Sequence, residues 1–84
     1  MIENDFLYKN CIKVDLHGLT KEEARAEIWH TLNSVDNADG IVFVHGYHGG
    51  RVLKDLVRKE IVSDMIEKKV FLSASATAFK LKKQ

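Results

Sequence analysis

The chain has no proline, one cysteine, one tryptophan and 8% aromatic residues in 84. Each scarcity excludes something. A lone Cys11 cannot close an intramolecular disulfide or build a metal cluster by itself, which fits a reducing compartment, and its place at the start of a strand-like run suits a small buried apolar residue. No run of 18 apolar residues is present, and MIENDFLYKN lacks a basic stretch followed by an apolar one, so neither a membrane span nor a signal peptide is expected. These features point to the cytoplasm, with no membrane partner. Without proline, repeats or low-complexity tracts there is no internal boundary, and 84 residues support one core.

What is present is charge, and it is unevenly placed. The formal net charge is only +1, but residues 1–50 hold four basic and eight acidic side chains, whereas residues 51–84 hold nine basic and four acidic. Such a split suits a polyanionic partner or dimerisation through complementary faces; it also suits two helices with different solvated sides. A monomer is favoured, with a weak dimer as the alternative.

Hydrophobic periodicity gives the element order. In Cys11 to His17, apolar and polar residues alternate, so Ile12, Val14 and Leu16 share one face of a strand and Lys13, Asp15 and His17 the other. Gly18 ends it. Thr20 and Glu23 have capping-box spacing, which starts a helix at Lys21, with Ala24, Ile28, Leu32 and Val35 as its apolar stripe and an end near Ser34. Trp29 on this helix reads as half-buried core. Residues 41–44 form a continuous apolar strand, covered on both faces. A second amphipathic helix carries Val52, Leu53, Leu56, Val57 and Ile61; its end falls either near Glu60 or beyond Met65. Strands are expected at Val70–Leu72 and Thr77–Lys82. The order β-α-β-α-β-β describes a two-layer α/β sandwich, with a parallel first pair, a closing hairpin and a four-stranded mixed sheet. Residues 1–10, with Ile2, Phe6, Leu7 and Tyr8, are expected to pack as an N-terminal extension on the domain formed by residues 11–84.

Parallel strands end on one edge of a sheet, where open α/β proteins bind ligands. Asp15 and His17 lie on one face of the first strand, about 6–7 Å apart along it, and His45 ends the second. Two imidazoles near neutral pKa can act as base and acid, and a carboxylate can orient one of them. The same set could instead hold a divalent metal such as Mg or Mn, or a strand-end histidine could simply bond a loop carbonyl. The loop Gly46, Tyr47, His48, Gly49, Gly50 leads into the second helix, so its amides and the helix N-terminus could receive a phosphate. Arg51, Lys54 and Arg58 follow at i, i+3 and i+7 and would extend a phosphate track, while Tyr47 and His48 could stack on bases.

Val14-Asp15-Leu16-His17-Gly18-Leu19-Thr20, a helix with Glu23-Ala24, then Val42-Phe43-Val44-His45-Gly46 and a closing Ala76-Thr77-Ala78-Phe79-Lys80-Leu81 resemble the Smr, or small MutS-related, domain family over residues 11–82. His48 stands where that family's second loop glycine is found, and Ser73-Ala74-Ser75 replaces its glycine-rich stretch. The resemblance implies a sandwich similar to the C-terminal domain of translation initiation factor 3, binding DNA or RNA and, in several members, cutting it. It carries Asp15 and His17 over as catalytic candidates, His45-Gly46 as a substrate-binding element and Arg51 as the basic residue after the loop that assists in active members. The expectation is a nucleic-acid-binding endonuclease; a binding module without cleavage and a protein-interaction domain are the alternatives.

Overall fold

A computed structural model describes residues 10–46 and 51–82. All six elements of the expected order are present. Strand β1 is Cys11–Asp15, helix α1 is Lys21–Ser34 and strand β2 is Gly40–Val44. Helix α2 spans Val52–Asp55 and continues as a π-helical turn over Leu56–Glu60; β3 is Ile66–Ser73 and β4 is Ala76–Leu81. The sheet order is β1-β2-β4-β3, with β1 and β2 parallel and the other two pairings antiparallel. This is the four-stranded mixed sheet read from the sequence.

Local chemistry sets these boundaries. Thr20 Oγ1 accepts from Glu23 N at 3.1 Å and Glu23 Oε1 accepts from Thr20 N at 3.0 Å, a reciprocal capping box that satisfies two amides α1 cannot bond internally. Ala24, Ile28 and Leu32 are buried along one side, and Val35 and Trp29 pack beside them. Asn10 fastens the start of β1 to the turn before β2: Asp39 N donates to Asn10 O at 2.7 Å, and Asn10 Nδ2 donates to Asn37 O.

The second helix departs from regular α geometry for a reason visible in its side chains. Leu56, Val57 and Ile61 are all fully buried, and the widened turn, with Ile61 N bonding Leu56 O at 3.0 Å, lets all three meet the sheet. The chain leaves the helix at Ile61, and Val62 is left 78% exposed, which accounts for the loss of phase in the apolar pattern there. The helix therefore ends at Glu60. Lys69, on β3, closes it by donating Nζ to Ile61 O at 2.6 Å and Arg58 O at 3.1 Å.

Strand β3 begins at Ile66, four residues before the expected Val70. Ile66 pairs with Leu81, and a register shift between Ile66 and Lys68 breaks the period-two pattern that would have revealed the strand. The core lies between the helices and one face of the sheet: Leu16, Ile41, Phe43, Phe79 and Leu81 meet Ala24, Ile28, Leu32, Leu56, Val57 and Ile61. Phe43 and Phe79 meet edge to face at 4.9 Å. Cys11 is partly buried, and burial, followed by the charge of Asp39, pushes its thiol pKa up. Lys21 and Arg25 of α1 reach Glu60 Oε1 at 3.0 and 3.3 Å, so charges on the two helices meet within one chain. No helix among the described residues is long and apolar enough to cross a membrane. The expectation for residues 1–9 lies outside the described residues.

Candidate functional site

The C-terminal ends of β1 and β2 lie side by side, with Asp15 opposite Val44, and Leu16 N extends the pairing by bonding Val44 O at 2.7 Å. Leu16 is fully buried and anchors the strand end. Alternation then turns Asp15 away from the helices, and the chain folds back at Gly18, whose φ of +85° belongs to the left-handed region. This turn brings His17 onto Asp15: both its backbone N–H, at 3.1 Å, and its Nδ1–H, at 2.6 Å, donate to Asp15 Oδ1. The two side chains remain 57% (Asp15) and 69% (His17) exposed. The hydrogen bond from the His17 side chain, then that from its backbone, holds the Asp15 carboxyl below its ordinary pKa. An ionised carboxylate at Nδ1 fixes the tautomer, leaving Nε2 of the neutral ring as a proton acceptor open to solvent.

His45 has the opposite surroundings. It lies on the same strand face as Ile41 and Phe43 and is only 3% exposed. Arg58 Nε can only donate, and does so to Thr77 Oγ1 at 2.6 Å. The Thr77 hydroxyl therefore gives its proton to His45 Nε2 at 3.0 Å, and His45 Nδ1–H donates to Gly46 O at 3.1 Å. Burial lowers the His45 pKa; the Gly46 carbonyl opposes this, and the charges of Arg58 and Lys54 add to it. His45 is thus a neutral link in a chain running Arg58, Thr77, His45, Gly46. The backbone adds two further ties, from His45 N and Gly46 N to Ser75 O at 2.9 and 3.0 Å.

Gly46 joins the two histidine environments. Its φ is +72°, which favours glycine, and a Cβ there would stand 3.3 Å from His17 Cβ and press on the catalytic candidate. No protein-family model and no curated protein matches the chain. Among solved structures, it is similar to the Smr domain of Thermus thermophilus MutS2, with a TM-score of 0.77 at 22% identity over 86% of this chain and 99% of that one. The chain has the fold of an Smr domain.

Within this Smr-like domain the basic stripe divides. Arg51 is exposed and Lys54 partly so, beside the glycine loop. Arg58 is turned inward: besides Thr77, its guanidinium bonds Ser73 O at 2.5 Å and Ala76 O at 3.2 Å, and it lies 4.2 Å from the Phe71 ring centroid. Of the three residues expected to form a phosphate track, Arg58 holds the β3–β4 hairpin instead, while Arg51 is open to solvent and Lys54 partly so. The helix N-terminus is also a smaller feature than expected, since α2 has only four residues of α geometry. Tyr47, His48, Gly49 and Gly50 lie outside the described residues. Among the described residues, no three His, Cys, Asp or Glu side chains are grouped as a metal-ligand set.

Sequence reasoning missed Thr77, Ser75 and Lys69. Thr77 had a readable signal, because alternation places it on the face of Phe79 and Leu81, and a hydroxyl among core residues needs a partner. Ser75 acts through its own backbone oxygen, which accepts from His45 N and Gly46 N, and Lys69 donates to backbone oxygens; no residue pattern marks either.

Proposed function

We propose that this Smr-like domain binds nucleic acid at the β1–β2 edge and cleaves phosphodiester bonds there, with His17 as the proton-transferring group. The observation that carries the reading is the exposed Asp15–His17 pair, locked at 2.6 Å beside Gly46, at the edge where the neighbouring His45 feels the charge of Lys54. Asp15 holds His17 in the tautomer whose Nε2 can take a proton from a water or a ribose 2′-hydroxyl, and stabilises the imidazolium that results. With the 2′-hydroxyl as nucleophile, its oxygen bonds phosphorus and the bond from phosphorus to the 5′-oxygen breaks. That 5′-oxygen takes a proton from solvent water, giving a cyclic phosphate and a free 5′-hydroxyl, while His17 returns its proton to solvent. Arg51 and Lys54 supply positive charge for the phosphate. His45 orients the loop and takes no part in proton exchange, because both of its ring nitrogens are engaged.

A second reading, binding without cleavage, is favoured by the same burial of His45: the described residues present one open imidazole at this edge, where a paired base and acid would need two. The two readings separate on one experiment. The protein is incubated with structured RNA and with nicked or branched DNA, with and without EDTA, beside the double variant Asp15→Asn/His17→Ala. Cleavage by the wild type, lost in the variant while binding persists, supports the nuclease; unchanged cleavage in the variant refutes the assignment. Salt-sensitive binding without cleavage at any protein concentration selects the binding module.

A further inference from the structure

Phe71 is 61% exposed on the edge strand β3, and one face of its ring is covered by the Arg58 guanidinium at 4.2 Å. A single exposed aromatic is ordinary on a protein surface. This one differs in its backing. Arg58 is fixed by three acceptors, Thr77 Oγ1, Ser73 O and Ala76 O, so the cation beneath the ring cannot swing away. Phe71 also pairs in register with Thr77, the hydroxyl that holds His45. The ring is thereby tied to the same hydrogen-bonded frame that positions Gly46 beside His17.

We propose that Phe71 is a stacking platform for an unpaired base of a single-stranded nucleic acid engaged at the β1–β2 edge; this rests on the function proposed above. Phe71, Thr77, Phe43 and Val14 occupy one row across the four strands on the helix-facing side, so the ring stands three strand spacings, about 14 Å, from β1, at the level of the residue before Asp15, whose own side chain leaves the opposite face. That separation suits a strand of a few nucleotides that rounds the end of the sheet from the ring to the β1–β2 edge. A base stacked on the outer side of the ring, with a guanidinium behind it, combines aromatic stacking and cation–π attraction, neither of which requires a particular base. A duplex keeps its bases stacked on one another and cannot use the site.

The test uses a short single-stranded oligonucleotide carrying 2-aminopurine and a duplex of the same sequence, titrated against the wild type, Phe71→Leu and Phe71→Tyr. Stacking quenches the probe. Phe71→Leu is expected to weaken single-strand binding about five- to 150-fold and abolish quenching, with duplex binding unchanged and Phe71→Tyr close to wild type. Single-strand binding by Phe71→Leu at wild-type strength overturns the platform, as does an equal loss on both substrates or a failure of Phe71→Tyr to restore quenching. A wild type that binds neither substrate overturns the underlying function.

Discussion

Replacing Thr77 by valine removes one hydroxyl from a fully buried position while preserving side-chain volume. Two hydrogen bonds go with it: the one received from Arg58 Nε at 2.6 Å and the one given to His45 Nε2 at 3.0 Å. A bond from a charged donor contributes about 1.5–3 kcal/mol and a neutral one about 1 kcal/mol, while a buried acceptor left empty costs about 1–3 kcal/mol. Arg58 keeps its two carbonyl partners, which limits the damage on that side. The net loss should be about 2–3 kcal/mol, a large share of the roughly 4–13 kcal/mol available to a chain of this length. Urea unfolding should show a lower midpoint at unchanged slope, and the melting temperature should fall by about 8–24 °C. Combined with Arg58→Met, the two losses should fall short of their sum by at least about 0.5 kcal/mol, since both remove the same link. A loss below about 0.5 kcal/mol, or strict additivity, would refute the relay.

Three further outcomes follow from the same frame. Because the His45 pKa is lowered in the folded state, the unfolded chain binds more protons as pH falls below about 6.5, so stability should be full above that pH and decline beneath it; His45→Gln should flatten the decline seen by thermal melting. Gly46→Ala should cost about 1–2 kcal/mol from the left-handed backbone alone, and should displace His17, visible in urea unfolding together with altered shifts of the His17 ring signals. Lys69→Met leaves the carbonyls of Arg58 and Ile61 without their donor and should destabilise by about 1–3 kcal/mol; a neutral result would mean that water caps the helix equally well.

The main features of the sheet and α1 were legible in the sequence because each rests on short-range periodicity or on a cap. Asp15 and His17 were read as about 6–7 Å apart along one strand, whereas β1 ends at Asp15 and the turn at Gly18 folds His17 back onto it. His45 was misplaced in character, though not in position. A continuous apolar run suggests cover on both sides, and only strand parity, counted from Ile41 and Phe43, shows that His45 points into the core. Arg58 was assigned to the outer stripe on regular α-helical spacing, but the widened turn over residues 56–60 changes the direction in which each side chain leaves the helix. The early start of β3 was hidden by the irregular register at Glu67. For His45 and Arg58 a tertiary demand, satisfying Thr77 or burying Leu56, Val57 and Ile61, outweighed the local pattern.

The central claim is that nucleic acid is engaged at the edge where β1 and β2 end. Its most direct test is a titration of isotopically labelled protein with a short RNA bearing 2′-methoxy groups, which block cleavage by a 2′-hydroxyl, followed by amide chemical shifts. The amides of His17, Gly18, Gly46 and Arg51 should move first and furthest, and added salt should reverse the change. Shifts confined to the opposite end of the sheet, around Asn37 and Asp64, or no shifts at RNA excess, would contradict it.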